Sequence, residues 1–283
     1  MYNEINLDLQ AYAKRTYDSV LYQSTFYNCL NTSYIGTLRQ TGAPVIEVLK
    51  TKPISVHQRS TKEIQTKLDP SLVQYEHVMV DLTELNLDSA IRVPLMVTGS
   101  DVVNAVQDAS DLNNSDIAKK IDIYGYKKLA DANLEEFEWN PVTKEDYVSY
   151  LNTLKAKLFN KSIEGEYRLG LGAVEYGNLV SALTTLLRFE TPTGVRGVVM
   201  GEVATAYGVD AIFPINDNVL NGEVGYFFSP IMAVGDMFMS AVNQFPGSYP
   251  GYPGYYCLEY TSSFGAQVVR EEAGIRLVEE VSA

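Results

Sequence analysis

The sequence predicts an α+β protein, in which amphipathic helices and strand-like segments are interspersed along 283 residues. Apolar residues recur at helical spacing around 145–159 and again around 174–188, which predicts two helices. Residues 42–82 contain two long segments rich in β-branched residues, which predicts strands. Hydrophobic residues make up 46% of the chain and charged residues 20%, which suits one large domain or two closely packed subdomains.

The charge and the cysteine content argue against several classes of protein. The net charge is −13, from 22 basic and 35 acidic residues, and such a surface disfavours a sequence-specific reader of DNA or RNA. Cys29 and Cys257 form no C-x-x-C pair, which favours a reducing compartment over a disulfide framework. The N-terminal sequence MYNEINLDLQ lacks the regions of a signal peptide, and no stretch approaches the ~20 apolar residues of a membrane span. We therefore expect a soluble protein with no membrane contact.

Residues 1–38 are predicted to open with a helix. Its stripe has 4-3-4-3 spacing and consists of Ala13, Tyr17, Val20, Ser24 and Tyr27. The stripe is moderately apolar, because Ser24 leaves a polar gap. It fits an arm laid on a surface and, equally well, a packed N-terminal helix of a monomer.

Residues 42–82 are predicted to form a long hairpin. Its first strand-like segment begins at Val45 and contains Pro53, which indicates an edge strand. A polar tip follows at 59–63, and a second strand-like segment leads to Leu82. An isolated two-stranded hairpin is marginally stable in water, so its own body or a neighbouring subunit must hold it.

The hairpin is basic, whereas the segment after it is acidic. The cations, opposed by Glu63 alone, are Lys50, Lys52, Arg59, Lys62 and Lys67. They leave a net charge of +4, so the rest of the −13 chain carries −17. The acids opposed by Arg92 alone are Asp69, Glu76, Asp81, Glu84, Asp88, Asp101, Asp108, Asp111 and Asp116. Complementary charge favours encounter and register, so the five cations are predicted inter-subunit contacts with the acidic body of another copy. The alternative is a solvated basic loop.

A strand and a helix are predicted after the acidic segment. Residues 91–103 resemble a strand that ends at a Gly-Ser turn. Asn114 or Ser115 then begins a helix that runs to about Asn133, and Gly125 interrupts its apolar stripe.

The strongest local signal for a helix begins at Thr143. Thr143 and Asp146 form a T-x-x-D start that resembles a capping box. The apolar stripe that follows is Tyr147, Leu151, Leu154 and Leu158. The next helix is predicted to carry Tyr176, Leu179, Leu183 and Leu186 or Leu187 on one face.

The remaining segments are predicted to be mostly strand. Strands are predicted in 167–171, in 197–215 with a turn near Gly208, and in 255–277. The segment 227–245 is apolar and predicts a strand followed by a helix, whose stripe is Ile231, Val234, Phe238 and Val242.

No constellation of residues indicates catalysis. His57 and His77 lie on the predicted hairpin strands, where polar surface roles are expected. The sequence has no H-E-x-x-H, C-x-x-C, P-loop or G-x-S-x-G motif, and Glu175 occupies the third-glycine position of the fingerprint that Gly170 begins. The acids of 101–116 lack the EF-hand pattern for calcium. We therefore predict a protein that is not an enzyme and has no catalytic, cofactor-binding or metal site.

The order of these elements resembles the Hong Kong 97-type capsid fold of tailed-bacteriophage major capsid proteins, over nearly the whole chain. The segment 201–214 (GEVATAYGVDAIFP) is similar to the family pattern G-x-i-x-G-v-x-v-x-x-s-x-x-l-p. The segment 264–277 (FGAQVVREEAGIRL) is similar to the family ending Y-G-x-x-v-x-r-p-e-a-i-x-x-l. The order, spacing and position of these two motifs carry the resemblance.

The resemblance implies an N-terminal arm, an extended β-hairpin loop, a spine helix and an axial domain. The implied divisions are an arm at 1–41, an extended loop at 42–78, a peripheral domain with the spine helix at 79–143, a mainly axial domain at 144–253, and C-terminal strands returning to the peripheral domain at 254–283. Some members carry a charged scaffolding segment before the shell domain, and this chain has no room for one. Scaffolding would then come from a separate protein or be unnecessary.

The function that the resemblance implies is assembly. Copies would form pentamers and hexamers of an icosahedral head that encloses the double-stranded DNA genome without sequence-specific binding. The implied partners are a scaffolding protein, a portal and decoration proteins, and the implied location is the virion after assembly in the host cytoplasm.

Three alternatives remain open from the sequence. An encapsulin-type nanocompartment shell would have the same fold and a protein cargo. A soluble α+β enzyme would use carboxylates at a cleft. Another virion component, such as a tail or head-completion protein, would form rings or tubes.

Overall fold

The computed structural model describes most of the chain in separate segments. These are residues 9–31, 33, 44–51, 75–94, 100–190, 208–220, 222–246, 251 and 254–279. The α-helices are α1 (Leu9–Gln23), α2 (Ser100–Asp131), α3 (Lys144–Asn160) and α4 (Ala173–Glu190). Short 3₁₀ turns lie at Phe26–Cys29, Pro230–Met232 and Glu271–Ala273. Among the helices described, none is long and apolar enough to cross a membrane.

The strands of these segments pair into a hairpin and two larger sheets. They are β1 (Val45–Thr51), β2 (Tyr75–Asp81), β3 (Leu85–Asn86), β4 (Ser89–Pro94), β5 (Glu135–Glu138), β6 (Arg168–Gly172), β7 (Ala211–Ile215), β8 (Glu223–Phe228), β9 (Ala233–Pro246), β10 (Tyr255–Val268) and β11 (Gly274–Val278). β1 and β2 pair antiparallel. In the four-stranded sheet, β10 pairs with β9 along one edge and with β3 and β4 along the other. The five-stranded sheet has the order β5-β11-β8-β6-β7. The predicted α+β class is confirmed.

An aromatic cluster joins the N-terminal turn, α2 and the four-stranded sheet. Phe264 of β10 is fully buried, and its ring contacts those of Phe26, Tyr27 and Tyr124 edge-on, with centroids 5.7–6.2 Å apart. Gly125 of α2 faces Phe26, and a Cβ at this position would lie 2.3 Å from the Phe26 ring. The glycine that interrupts the apolar stripe in the sequence is therefore where the ring packs against the helix.

Helix α3 follows its sequence signal closely. Thr143 is the N-cap, and its hydroxyl accepts a hydrogen bond from the Asp146 backbone N–H, while the Asp146 carboxylate accepts one from the Thr143 N–H. This reciprocal capping box satisfies two backbone donors at the helix start. The buried residues of the helix are Tyr147, Leu151, Leu154 and Leu158, as the stripe predicts.

Helix α2 begins earlier than predicted. The expected start at Asn114 or Ser115 is wrong, because the helix already begins at Ser100, and the strand expected over 91–103 ends at Pro94. Asn114 is 2% exposed and lies within the helix. Ser110, Asn114, Ile117 and Ile121 are all buried at 4-3-4 spacing. Packing of this face against the body overrides the local capping preference of asparagine and serine.

The helix predicted within 227–245 is also wrong, because β9 continues from Ala233 to Pro246. β9 pairs with β10 along almost its whole length, with a bulge between Thr261 and Ser262. Residues 232–237 are all buried. A strand that is buried on both faces has a continuous run of apolar residues. Such a run also contains apolar residues at helical spacing, so the pattern cannot distinguish a strand from a helix.

Other predicted elements are confirmed. β6 lies within 167–171 and one residue beyond it, and β10 and β11 fall within 255–277 and one residue beyond it. Leu179 and Leu183 of α4 are fully buried. Of the two strands predicted in 197–215, the second is β7, and the first lies outside the described residues. Cys29 and Cys257 are free thiols, so they form no disulfide with each other.

Candidate functional site

The candidate functional features of this chain are its surfaces and one cleft. Within the described segments, no group of three or more His, Cys, Asp and Glu side chains is placed to hold a metal ion. His77 lies on β2 and pairs with Glu47 of β1 across the hairpin. His57 lies outside the described residues.

The base of the hairpin is attached to its own body. In β1 and β2, Ile46, Val48 and Val80 point to one face and are buried. They pack in one cluster with Leu82, Val234 and Val269. β2 then ends directly over β10, where a Cβ on Gly265 would lie 1.8 Å from the Asp81 carbonyl oxygen. The sequence left open whether the hairpin is held by its own body or by a neighbouring subunit. For its base, the body of the same chain supplies the support.

The opposite face of the hairpin base carries exposed apolar side chains. Leu49 is 50% exposed and Met79 is 60% exposed. Val45 lies on the same face, because strand residues two apart share a face. A hairpin with apolar residues on both faces is typical of a strand pair that contacts something on each side.

The structure places one of the five predicted inter-subunit contacts. Lys50 lies in β1 opposite Glu76, and its ammonium group is 3.9 Å from the Glu272 carboxylate of the same chain. Its charge is therefore partly balanced within the subunit. Lys52, Arg59, Lys62 and Lys67 lie outside the described residues.

Several of the acids predicted to receive these cations already have partners in their own chain. Lys128 is 2.6 Å from Glu84, and hydrogen bonds from Lys128 and Tyr124 hold the pKa of Glu84 below its ordinary value. Asp81 accepts hydrogen bonds from the backbone and hydroxyl of Thr83. These carboxylates are less available to a second copy than the sequence implies.

Helix α2 is acidic in its first half and of mixed charge in its second, where four lysines occur with Asp116, Asp122 and Asp131. Asp108 and Asp111 are exposed in the first half, and the exposed Asp116 begins the second half. The lysines of the second half are Lys119, Lys120, Lys127 and Lys128. Acids near the N-terminus and lysines near the C-terminus interact favourably with the helix macrodipole and stabilise the helix. The exposed surface of α2 is therefore not uniformly acidic.

The N-terminal helix and the turn after it are fastened to the body by two carboxylates, the partly buried Asp122 and the buried Asp236. Asp122 of α2 accepts hydrogen bonds from the Ser24 hydroxyl (2.6 Å), the Thr25 hydroxyl (3.0 Å) and the backbone N–H groups of Thr25 (3.3 Å) and Phe26 (2.9 Å). Burial raises the pKa of Asp122, and these hydrogen bonds oppose that shift. In α1, Tyr17 donates a hydrogen bond to Asp236 of β9. The face of α1 that carries Tyr17 and the turn at Ser24–Phe26 therefore pack against their own chain.

An acidic cleft lies at one end of the five-stranded sheet, where β5, β6, β7 and β11 end and β8 begins. Its volume is about 730 Å³, and Trp139, Pro141 and Tyr147 form part of its wall. Its carboxylates are Glu175, Asp217, Glu223 and Glu279, and no lysine or arginine occurs among its described lining residues. Sequence analysis missed this cleft, because the four acids are spread over more than a hundred positions and share no local pattern.

Two of the cleft carboxylates have structural hydrogen bonds. Glu175 accepts from the Trp139 indole N–H (2.8 Å) and from the Asn178 amide (3.0 Å). Asp217 accepts from the Ala173 backbone N–H (2.7 Å), at the start of α4. These bonds hold the cleft wall together and give no support to the enzyme alternative, in which such groups would exchange protons with a substrate.

The fold resembles those of solved viral and virus-like shells. No family model matches the chain, and no curated protein matches it. A chain of Mycobacterium phage Che8 is similar with a TM-score of 0.59, at 15% identity and over 90% of each chain. The capsid of cyanophage P-SCSP1u is similar with a TM-score of 0.60, at 12% identity, over 85% of this chain and 84% of that one. The virus-like particle of Pyrococcus furiosus is similar with a TM-score of 0.55, at 11% identity, over 93% and 96%. The chain therefore has the Hong Kong 97-like capsid fold, as its sequence motifs imply.

Proposed function

We propose that this chain is the major capsid protein of a tailed phage, a structural subunit that self-assembles into a closed icosahedral shell around double-stranded DNA. The observation that carries the proposal is the likeness to solved capsid structures over most of both chains. A fold of this kind can host other functions in principle, so the proposal also depends on the surfaces of this subunit.

Those surfaces favour association with several neighbours. Large apolar side chains that are at least half exposed in the isolated subunit include Leu49, Met79, Leu112, Ile123, Phe159, Val142 and Val174. They lie on the hairpin base, on the helices and beside the acidic cleft, so no single partner would cover them all. Contacts that are individually weak become strong when one subunit is held by several others at once.

The net charge of −13 is compatible with a wall that surrounds DNA without gripping it. In this proposal the subunits form pentamers and hexamers, and a scaffolding protein, a portal and decoration proteins act with them in the virion. The division into arm, extended loop, peripheral domain and axial domain belongs to the same proposal.

The second candidate is a nanocompartment shell, which the likeness to the Pyrococcus furiosus particle favours. Both candidates require closed shells, and they differ in the content. Nucleic acid inside the particle supports the phage capsid, whereas a protein cargo supports the nanocompartment.

Electron microscopy of the purified protein tests the proposed function. The protein is expressed alone and then with its neighbouring genes, and absorbance is compared at 260 and 280 nm. We expect uniform closed shells in at least one condition. Only small discrete particles, or only tubes and rings, in both conditions would contradict the proposal.

Charge reversal in the basic segment is expected to stop assembly without unfolding the subunit. Lys52, Arg59, Lys62 and Lys67 are replaced together by glutamate, while Lys50 is kept because it contacts Glu272 of its own chain. Since like charges placed against each other at an interface cost several kcal/mol, we expect the yield of shells to fall at least about tenfold. Sedimentation measures the yield, and circular dichroism checks the fold.

A matched control reverses four exposed cations elsewhere, namely Lys14, Arg15, Lys120 and Lys127. The control makes the same change in net charge. Its yield of shells is expected to be higher than that of the variant with the four glutamates in the basic segment, called here the hairpin variant. Normal shells from the hairpin variant would show that the basic segment does not dock by charge.

A further inference from the structure

Two arginine side chains link the five-stranded sheet to the rest of the subunit. Arg168, at the start of β6, donates a hydrogen bond to the Asn28 carbonyl in the N-terminal 3₁₀ turn (2.7 Å). Arg276 of β11 donates one to the Ala130 carbonyl at the end of α2 (3.0 Å). Strand β8 lies between β6 and β11, so the Arg168 link and the Arg276 link are separate attachments.

The Arg168 link is completely bonded. The Nε and Nη2 atoms of Arg168 lie 2.7 and 2.6 Å from the Glu166 carboxylate, and Nη1 makes the bond to Asn28. All three guanidinium nitrogens therefore have an acceptor at ordinary hydrogen-bond distance. This geometry is that of a fixed attachment.

The Arg276 link is incompletely bonded. Its guanidinium group is 3.0 Å from the Ala130 carbonyl, but 3.5 Å from Glu136 and 3.8 Å from Glu223. Both carboxylate distances exceed the roughly 2.7–3.2 Å of an N–H···O hydrogen bond. Glu136 and Glu223 belong to β5 and β8, which lie on either side of β11 in the sheet. The bond to α2 is therefore made at the expense of closer contacts inside the sheet.

Three polar atoms at the Arg276 link are buried without a hydrogen-bond partner in the described part of the chain. They are Arg276 Nε, Glu223 Oε2 and the Tyr226 hydroxyl oxygen. Tyr226 lies directly opposite Arg276 in the β8–β11 pair. Burial, and then the charge of Glu223, raise the pKa of Tyr226, so its hydroxyl keeps its proton and can donate. A buried donor or acceptor that makes no hydrogen bond carries a desolvation penalty, and closer approach would pair these two donors with the one acceptor.

We propose that Arg276 is a latch that exchanges its acceptor when the subunit enters a shell, an inference that rests on the proposed function. Before assembly it holds the Ala130 carbonyl of α2. In some positions of the shell, the five-stranded sheet turns about the Arg168 link and Arg276 closes on Glu223. The Tyr226 hydroxyl then donates to the second oxygen of Glu223. Ala130 is half-buried, so solvent replaces Arg276 at its carbonyl, whereas the three buried atoms gain protein partners.

A closed shell of pentamers and hexamers needs a subunit with more than one arrangement, because it places the same chain in surroundings of different curvature. A hinge or a sliding contact inside the subunit supplies such a change. The rings of Tyr126 in α2 and Tyr226 in β8 are stacked 6.0 Å apart and within 20° of parallel, so they can slide without separating. β11 also has a bulge between Leu277 and Val278, which interrupts the ladder beside Arg276.

Electron cryomicroscopy of shells from the unaltered protein, at a resolution that shows side chains, tests the exchange directly. In at least one of the non-equivalent subunit positions, we expect Arg276 within hydrogen-bond distance of Glu223 and separated from the Ala130 carbonyl. The Arg168–Asn28 bond should be present in every position. An Arg276–Ala130 bond in every position, with or without ordered water on the three buried atoms, overturns the inference. Loss of the Arg168 link wherever the Arg276 link changes also overturns it, since the sheet would then detach and not turn.

Tyr226→Phe gives an independent readout in solution. It removes a hydroxyl that has no partner in the described part of the unassembled subunit, so the melting temperature of that subunit should be unaltered or slightly raised. In the shell, each subunit with an exchanged latch loses one buried hydrogen bond. We expect the association constant of such a subunit to be about tenfold lower, measured as dissociation of shells at a lower concentration of guanidinium chloride.

Tyr167→Phe is the matched control. Tyr167 lies directly before β6, and its hydroxyl already donates to the Ile163 carbonyl (2.7 Å). Loss of this bond should lower the melting temperature of the unassembled subunit and cause no further loss on assembly. A lowered melting temperature of the Tyr226→Phe subunit, or Tyr226→Phe shells as resistant as unaltered ones, would contradict the exchange.

Failure of the latch is distinguishable from failure of the proposed function. Shells of the unaltered protein in which Arg276 keeps Ala130 in every position would overturn the latch and leave the capsid function in place. Absence of shells from the unaltered protein in every condition would overturn the proposed function, and the latch with it.

Discussion

Replacing Gly265 by alanine is expected to destabilise the subunit by about 3 kcal/mol or more, the upper end of the usual cost of overpacking. The added Cβ would lie 1.8 Å from the Asp81 carbonyl oxygen and 2.6 Å from the Leu82 Cα. Both are backbone atoms, so no rotamer change can relieve the collision, and β2 must move away from β10. Because β2 forms the hairpin base, the variant should also weaken the attachment of the hairpin to the body.

Thermal unfolding of the unassembled subunit measures this effect. A loss of that size should lower the melting temperature by roughly 5–10 °C for a chain of this length. Gly177→Ala is the matched control, because Gly177 lies in α4 and a Cβ there would meet nothing within 4 Å. The control is expected to be neutral or slightly stabilising, since alanine favours helix over glycine. Equal melting temperatures for Gly265→Ala and the unaltered subunit would show that β2 does not pass this close to β10.

Replacing Asp122 by alanine is expected to release the N-terminal helix and to cost about 2–4 kcal/mol. Its carboxylate accepts four hydrogen bonds from Ser24, Thr25 and Phe26, two of which come from backbone N–H groups. Alanine leaves these donors without their acceptor. Part of this loss is offset, because burial raises the pKa of Asp122 and the ionised carboxylate itself carries a desolvation cost.

Hydrogen exchange followed by mass spectrometry locates the effect of this substitution. Faster exchange is expected in residues 9–31, while α3 and the five-stranded sheet should keep their protection. In the Asp122→Asn variant, the exchange rate of residues 9–31 should lie between those of the unaltered subunit and Asp122→Ala. The amide oxygen of asparagine can accept only some of the four hydrogen bonds. The control Asp111→Ala changes an exposed acid of the same helix and is expected to leave exchange unaltered. Unchanged exchange in the Asp122→Ala variant would contradict the anchoring role of this carboxylate.

The sequence by itself determined the elements that depend on local interactions. The capping box of Thr143 and Asp146 and the four-residue apolar stripe of α3 involve neighbours within a few turns, so pattern and structure agree. The hairpin strands were likewise predictable from β-branched composition and alternation. The order of elements and the two C-terminal motifs were enough to indicate the fold, which the likeness to solved capsid structures supports independently.

Tertiary packing decided what local patterns leave ambiguous. Asn114 resembles a helix cap in the sequence, yet burial against the body makes it an interior residue of α2. Val234 and Phe238 have helical spacing, yet pairing with β10 makes their segment a strand. In both cases the free energy of long-range burial and pairing exceeds the local preference.

The candidate sites also differ in whether they depend on local sequence or on tertiary packing. Runs of charge are visible in sequence, so the basic segment could be proposed from it as an inter-subunit contact, and this stays a prediction. Of its cations, the structure describes Lys50, which lies 3.9 Å from Glu272 of the same chain. The cleft could not be predicted, because Glu175, Asp217, Glu223 and Glu279 come together only when α4, β8 and the loops around them pack. Lys128, the partner that neutralises Glu84, was equally hidden, since a formal charge in a sequence carries no information on which distant side chain lies beside it. Proximity between residues distant in the chain is created by folding, and only the tertiary structure shows it.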